Sequence, residues 1–157
     1  MKPRTPDNLF QRGKKLTGLI PALFVVVSNM AIAGPNNVAT VFKSASCGCC
    51  TKWVTHMKDN GFKVQAFNTN DVTKVKKEQG IPKKFWSCHT AKVGKYLIEG
   101  HVPAADIKKL IAENRPVAGL AVPGMPVGSP GMPGLMKQKY QVYEFDKKGL
   151  TKVVAQY

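Results

Sequence analysis

Three cysteines within four residues, at a predicted junction between a strand and a helix, constrain this chain more than any other feature. Cys47, Cys49 and Cys50 follow a short apolar run at residues 38–42. Residues 51–60 continue an apolar i, i+3, i+4, i+7 pattern that starts at Cys50 and predicts a helix with one buried stripe. The cysteines therefore lie near a helix N-terminus, where unpaired N–H groups and the helix dipole favour thiolate over thiol.

The spacing of these cysteines is compatible with three kinds of chemistry. Cys47 and Cys50 have the Cys-x-x-Cys spacing of a thiol–disulfide redox pair. A third thiol at Cys49 disfavours clean two-electron cycling, because it offers alternative disulfides. Three converging thiolates instead suit a soft ion such as Cu(I). A structural disulfide with one buried cysteine is the remaining interpretation, and the spacing alone leaves all three open.

Residues 1–33 have the pattern of an export signal. Basic residues precede an apolar stretch at 16–27, and Ala-Ile-Ala at 31–33 is a small-x-small cleavage site. The apolar stretch is shorter than the ~20 residues that a membrane-spanning helix needs. We expect cleavage after Ala33, a mature domain of residues 34–157 and no stable membrane anchor afterwards. In a Gram-negative source the destination is the periplasm, where disulfides persist.

The charge of the chain is strongly positive, at +15 from 24 basic and 9 acidic residues. Removing residues 1–33 leaves +11 in the predicted mature domain. Its lysines, Lys76 among them, are scattered along the sequence and do not form the basic stripe with interleaved aromatic residues that favours nucleic-acid binding. We expect a solvated basic surface and no nucleic-acid partner.

The remaining patterns predict one α/β domain. Alternating residues at 62–66 indicate a strand, so the domain begins with a βαβ unit. The later predicted elements are a helix from Asn70 or Asp71 to Gln79 with Val72 and Val75 inward, a strand at 93–98, a helix from Pro103 to Asn114, a short strand at 117–122, and a hairpin of 140–145 with 150–155. The segment 123–136, rich in Pro, Gly and Met, excludes helix and regular sheet and predicts a shaped loop or a mobile flap. These elements give a mixed sheet with a C-terminal β-hairpin.

Several side chains outside the cysteine cluster are candidates for the same site. Cys88 and His89 are neighbours and combine a soft with a borderline metal ligand. Met125 follows a Pro-Gly pair in the predicted loop, where its thioether could complete a Cu(I) site. His101, at a strand-to-helix turn, is either a ligand or a hydrogen-bonded structural residue. His56 falls off the apolar stripe of its helix and is predicted to be solvated.

Four motifs together resemble the exported Cys-x-Cys-Cys copper proteins of the CopG type of bacterial copper resistance, a family catalogued as a domain of unknown function. They lie at residues 46–50, 87–91, 99–103 and 119–132, in the order that the family has, and the resemblance extends over residues 38–146. It implies a variant of the thioredoxin-like fold. It also implies that the cysteine cluster binds copper, and a role in copper handling or in Cu(I)/Cu(II) interconversion.

We therefore predict a periplasmic copper-binding protein that sequesters copper or changes its redox state in copper resistance. The predicted ligands are Cys47, Cys49, Cys50, Cys88, His89 and Met125. The expected ion is Cu(I), in a multinuclear cluster because thiolates bridge readily, and the expected partners are copper ions and other copper-handling proteins of the envelope. The alternative is a thiol–disulfide oxidoreductase in which Cys47 attacks and Cys50 resolves. Enzyme activity, on copper or on thiols, is left open.

Overall fold

The computed structural model of the chain describes residues 37–149 and 151–157. The predicted export signal and its cleavage site, at residues 1–33, lie outside this part and stay a prediction. None of the helices in the described part combines the length and the apolar character needed to cross a bilayer.

The described residues form one mixed sheet with helices between its strands. In chain order the elements are β1 (Val38–Lys43), α1 (Gly48–Asp59), β2 (Lys63–Asn68), α2 (Val72–Glu78), a 3-10 turn (Lys83–Phe85), β3 (His89–Val93), β4 (Tyr96–Gly100), α3 (Ala104–Ala112), β5 (Gly119–Val122), β6 (Gln141–Phe145) and β7 (Thr151–Gln156). The seven strands of this part are ordered β2-β1-β3-β4-β5-β6-β7.

The topology confirms the predicted single α/β domain. β1 and β2 are parallel and joined through α1, which is the predicted βαβ start. A second parallel pair, β4 and β5, is joined through α3. The pairs β1–β3, β3–β4, β5–β6 and β6–β7 are antiparallel, and the last is the predicted C-terminal hairpin. The thioredoxin-like label stays a prediction.

Helix α1 follows its sequence pattern closely. The buried side chains of this helix are Cys50, Trp53, Val54 and Met57. The helix begins at Gly48, and Cys47 is its N-cap, with its sulfur accepting a hydrogen bond from the Cys50 N–H at 3.3 Å. The cysteine cluster therefore forms the first turn of a helix whose other end is anchored in the core.

The predicted strand at 93–98 is wrong, because the chain reverses within it. Gly94 adopts a positive φ of 56° and forms a two-residue turn with Lys95, which makes β3 and β4 an antiparallel hairpin. Glycine accepts this conformation at little steric cost. Consequently Cys88, just before β3, and His101, just after β4, lie at the same end of the sheet.

Helix α2 begins as predicted, since the Asp71 carboxylate caps it by accepting from the Lys74 N–H at 2.8 Å. The predicted inward face is wrong. Val72 and Val75 are only half-buried, and the buried residue of this helix is Lys76. The ammonium group tolerates burial because it donates to Glu99 and so forms a buried ion pair.

The prediction that His56 is solvated is also wrong. Its ring is half-buried, and Nε2 accepts a hydrogen bond from the Ala104 N–H at 3.1 Å. Ala104 is the first residue of α3, and the preceding Pro103 has no side-chain group that could cap the helix. His56 therefore satisfies a backbone donor that would otherwise be left unpaired at this helix start.

This contact predicts a pH dependence of folding stability. Burial lowers the pKa of His56 below its ordinary value of 6.5, with Asp59 opposing the shift. The unfolded chain therefore binds more protons than the folded chain once the pH falls below about 6.5. The stabilisation is fully present above that pH and is lost as the pH falls through the lowered folded-state pKa. Between pH 7.5 and 5.5 we expect urea denaturation to show a larger loss of stability for the natural chain than for His56→Gln. Equal losses in the two proteins would contradict this assignment.

Candidate metal centre

The fold brings all four cysteines of the chain together. β1 leads into the first turn of α1, and Lys43 at the end of β1 pairs with His89 at the start of β3, which places Cys88 beside that turn. The four sulfur atoms all lie within 4.8 Å of one another. Long-range strand pairing therefore completes a cluster to which the local sequence supplies three members.

The cluster is half oxidised in this structure. Cys47 and Cys50 form a disulfide, and Cys49 and Cys88 are free thiols. The Cys49 sulfur lies 3.5 Å from that of Cys47 and 3.9 Å from that of Cys88. Cys50 is fully buried, whereas Cys47 is partly exposed, so Cys47 is the more accessible sulfur of the disulfide.

His101 faces the cluster with a nitrogen ready for a metal ion. Its Nδ1 lies 2.7 Å from the carbonyl oxygen of Pro130, which can only accept a hydrogen bond, so the proton is assigned to Nδ1. Nε2 then carries a lone pair and lies 3.0 Å from the sulfur of Cys88. A backbone carbonyl that orients a ring in this way is typical of metal-binding histidines.

His89 lies beneath Cys88 and is fully buried. Its Nδ1 is 3.4 Å from the Cys88 sulfur, and its ring packs 4.4 Å from the Trp53 ring and 5.1 Å from that of His101, measured between centroids. Nε2 has no hydrogen-bond partner of acceptable geometry in the described part of the chain. Burial lowers the pKa of His89 well below its ordinary value, and burial also lowers the pKa of His101. Both rings are therefore neutral, the state in which imidazole binds metals.

The Cys88 thiol keeps its proton in this state. Burial raises the pKa of Cys88 to about 12, and the neighbouring Cys49 acts in the same direction. A thiol of this kind is a poor nucleophile. It can still become a ligand, because a bound metal ion displaces the proton.

A buried polar network holds the segment that carries Cys88. The Glu99 carboxylate accepts hydrogen bonds from Lys76 Nζ at 2.5 Å, from the Ser87 N–H at 2.6 Å and from the Thr90 hydroxyl at 2.6 Å. Lys76 also donates to the Thr90 hydroxyl oxygen at 2.9 Å. Burial raises the pKa of Glu99, although Lys76 opposes that shift. Because Ser87 and Thr90 lie on either side of the Cys-His pair, Glu99 fixes the backbone of both candidate ligands.

The loop rich in Pro, Gly and Met closes over the cluster. Residues 123–140, all of them described, form neither helix nor strand, as the composition of residues 123–136 predicted. Gly131 has a φ of 86°, and a Cβ there would lie 2.7 Å from the carbonyl oxygen of Cys49 and 2.8 Å from the nitrogen of Trp53. The loop backbone therefore rests directly on the first turns of α1, next to the Pro130 carbonyl that orients His101.

Solved structures with the same fold identify the family. Two structures, titled "Copper resistance protein copG- Form 1" and "Copper resistance protein copG- Form 2", each match this chain at 45% identity and a TM-score of 0.72. Each alignment covers 76% of this chain and 96% or 97% of the other. The chain belongs to the CopG family of copper resistance proteins. This confirms the resemblance inferred from the four motifs.

A family model described as "Protein of unknown function, DUF411" matches residues 85–132. This segment of the CopG domain contains Cys88, His89 and His101 and ends within the loop. The other three cysteines, at the start of α1, lie outside the matched segment. Comparison with curated proteins found no match.

The CopG domain brings the predicted cysteine and histidine ligands together. The sulfurs of the four cysteines form one cluster, and His89 joins Cys88 and His101 in a second group. Met125 is 51% exposed, although the Ser87 hydroxyl donates to the carbonyl oxygen of the adjacent Gly124. Its role as a ligand stays a prediction.

Sequence reasoning left His101 out of the predicted ligand set and did not identify Glu99 or Lys76 at all. The signal that could have found His101 was Gly94, since a glycine between two apolar runs favours a hairpin. That hairpin carries His101 back to Cys88. Nothing in the local sequence distinguished Lys76 from the surface lysines of the CopG domain.

The close contact between Gly131 and the backbone of α1 predicts the effect of a single substitution in the loop. In Gly131→Ala the new methyl group would collide with the α1 backbone, lifting the Pro130 carbonyl away from His101. We expect a Cu(I) affinity about 10-fold lower, because losing a group that hydrogen-bonds to a metal ligand typically has an effect of this size. Gly124→Ala is the matched control, because Gly124 also has a positive φ (71°) but a Cβ added there would meet nothing within 4 Å. Competition with a Cu(I) chelator measures both; equal affinities would contradict the prediction.

Proposed function

We propose that this protein binds copper ions through Cys47, Cys49, Cys50 and Cys88 in their reduced form and so protects the bacterial envelope from copper. The observation that carries the proposal is the gathering of four sulfurs within 4.8 Å by elements that are distant in sequence. The titles of the two similar structures, which name copper resistance proteins, support copper as the ion. His89 and Met125 are proposed as additional ligands.

The donor set favours Cu(I) in a cluster. Thiolates are soft ligands that favour Cu(I), zinc and iron–sulfur clusters, and each thiolate can bridge two ions. Zinc also binds four cysteines, but structural zinc sites usually take them from spaced pairs. Here Cys49 and Cys50 are neighbours on one backbone, which makes a single tetrahedral site awkward to close.

The disulfide provides a route for redox handling of copper. When the Cys47 and Cys50 thiols join, they release two electrons and two protons. The two electrons would reduce two Cu(II) ions to two Cu(I) ions. Cys49 and Cys88 stay reduced and would bind the Cu(I) that forms. A dithiol reductant would then reopen the disulfide by exchange and become oxidised itself.

We further infer that the protein works in the periplasm after removal of residues 1–33. Other copper-handling proteins of the envelope are the proposed donors and acceptors of its copper. Expression with the natural N-terminal segment in a Gram-negative host tests this. We expect periplasmic protein whose mass corresponds to cleavage after Ala33, and retention of the segment or of the protein in the cytoplasm would contradict it.

Copper binding is tested by anaerobic titration of the fully reduced, metal-free protein against a chromophoric Cu(I) chelator. We expect more than one Cu(I) to bind per chain with high affinity, and Zn(II) to compete poorly. Failure to withdraw Cu(I) from the chelator would rule the proposal out.

A second candidate function is thiol–disulfide exchange, favoured by the Cys47–Cys50 disulfide and by the partial exposure of Cys47. Cys47 would be the attacking thiol and Cys50 the resolving one, passing through a mixed disulfide with the substrate. Insulin reduction and the refolding of a scrambled substrate measure this activity. Absence of turnover, both with and without copper, would eliminate this candidate.

A further inference from the structure

We propose that Cys88, His89 and His101 form a distinct subsite for one Cu(I) ion, and that this subsite stays available when Cys47 and Cys50 are oxidised to the disulfide. The inference rests on the proposed function only in taking copper as the ion. It separates a histidine-containing site from the four-thiol cluster, with Cys88 belonging to both.

The donor atoms of the subsite are already close together. One nitrogen from each histidine and the Cys88 sulfur lie within 4.8 Å of one another. The sulfur is 3.0 Å from His101 Nε2 and 3.4 Å from His89 Nδ1. The Cys47–Cys50 disulfide removes two of the four sulfurs of the thiol cluster but none of these three donors.

The hydrogen bonding around His101 prepares the subsite for a metal ion. The Pro130 carbonyl holds the proton on Nδ1, so the lone pair of Nε2 points toward the Cys88 sulfur. On binding, the Cys88 S–H bond breaks and the proton leaves to solvent, while Cu–S and Cu–N bonds form. The hydrogen bond to Pro130 is kept.

The ring of His89 presents Nδ1 to the subsite. It is fully buried, packs against Trp53 and lies edge-on to His101. Nδ1 is the nitrogen that faces the Cys88 sulfur, at 3.4 Å. A metal ion next to Cys88 would therefore bind Nδ1, which carries a lone pair when the proton of the neutral ring is on Nε2.

Charge balance selects a monovalent ion. One thiolate and Cu(I) sum to zero, and the two histidines are neutral. The nearby Lys76 and Glu99 neutralise each other in a buried pair, and Lys43, whose charge also acts on His89, adds a further positive charge. Cu(II) or Zn(II) would leave an uncompensated positive charge among fully buried rings, which is unfavourable in a medium of low dielectric constant.

The test uses the full-length chain with Cys47→Ser and Cys50→Ser, which imitates the loss of two thiols without a redox reaction. Anaerobic titration should show one bound Cu(I) per chain. In this background His101→Gln should lower the Cu(I) affinity about 100-fold or more. Substituting a residue that only hydrogen-bonds to a ligand already lowers metal affinity by up to that factor, and His101 is proposed to be a ligand itself. His56→Gln is the control histidine and should leave the affinity nearly unchanged. Cys49→Ser tests whether the ion instead lies between the two free cysteines, and it should lower the affinity much less than His101→Gln does.

The outcomes separate this inference from the proposed function. If the double serine variant binds no Cu(I) while the reduced natural chain binds several ions, the subsite does not exist and the cluster does. A large loss with Cys49→Ser and none with His101→Gln would also overturn the subsite. Failure of both proteins to bind would end the proposed function as well.

A direct measurement covers the case in which His101→Gln does not fold. In the oxidised natural chain labelled with ¹⁵N, addition of one equivalent of diamagnetic Cu(I) should shift the His101 Nε2 resonance strongly and leave His56 unchanged. Metal-bound and metal-free imidazole nitrogens differ clearly in this signal. An unshifted His101 resonance in the presence of bound copper would overturn the proposal.

Discussion

Cys49→Ser should lower the affinity of the fully reduced protein for its tightest Cu(I) by about 100-fold or more, and should reduce the number of ions bound. The Cys49 sulfur lies 3.5 Å from that of Cys47 and 3.9 Å from that of Cys88, between the helix turn and the start of β3. A thiolate in this position can bridge ions on both sides. Chelator competition under anaerobic conditions measures both quantities.

Thr55→Ser, at an exposed position of the same helix, is the matched control and should bind copper as the natural chain does. Retention of full stoichiometry and affinity in Cys49→Ser would contradict a bridging role. It would shift the interpretation toward the Cys47–Cys50 pair as a plain disulfide-exchange centre. Cys49 is therefore the residue whose substitution best separates copper binding from thiol exchange.

Glu99→Ala should destabilise the fold by about 3–5 kcal/mol, the usual cost of removing one partner of a buried ion pair and leaving the other charge unpaired. The substitution strands the Lys76 ammonium, whose side chain is 4% exposed, and removes the acceptor for the Ser87 N–H. We expect urea denaturation of the disulfide-intact chain to measure this loss. Copper affinity should fall too, since Glu99 holds both sides of the Cys88–His89 segment.

Two controls show whether the stranded charge is the cause. Glu113→Ala removes one partner of an exposed pair with Arg115 and should change stability by less than about 1 kcal/mol. The double variant Lys76→Met/Glu99→Leu replaces the buried pair by apolar groups and should recover much of the loss. A Glu99→Ala variant as stable as Glu113→Ala would show that the buried pair contributes little.

The local pattern was informative wherever one segment determines its own structure. The spacing from Cys50 to Met57 predicted the buried face of α1, because a helix repeats every 3.6 residues. Asp71 was identified as one of two possible caps for α2, since its side chain needs only the first turn of the helix. The composition of the loop predicted its lack of helix and strand for an equally local reason.

Prediction failed where a residue is placed by a partner distant in sequence. His56 was assigned to solvent because its own helix gives it no apolar neighbour, yet it caps α3, which begins 48 residues later. Lys76 was counted with the solvated lysines because a lysine is rarely buried unless it is paired. Its partner Glu99 lies 23 residues away on β4.

The sequence alone narrowed the class of chemistry, because three thiols at one helix start favour soft-metal binding or thiol exchange over a purely structural disulfide. It also determined the α/β class, since that rests on periodicity within each element. Only the tertiary structure decided which side chains complete the site. The turn at Gly94 folds β4 back on β3 and brings His101 to within 3.0 Å of Cys88. Contacts of this kind depend on strand register, which arises from the packing of the whole sheet and is not encoded in either segment separately.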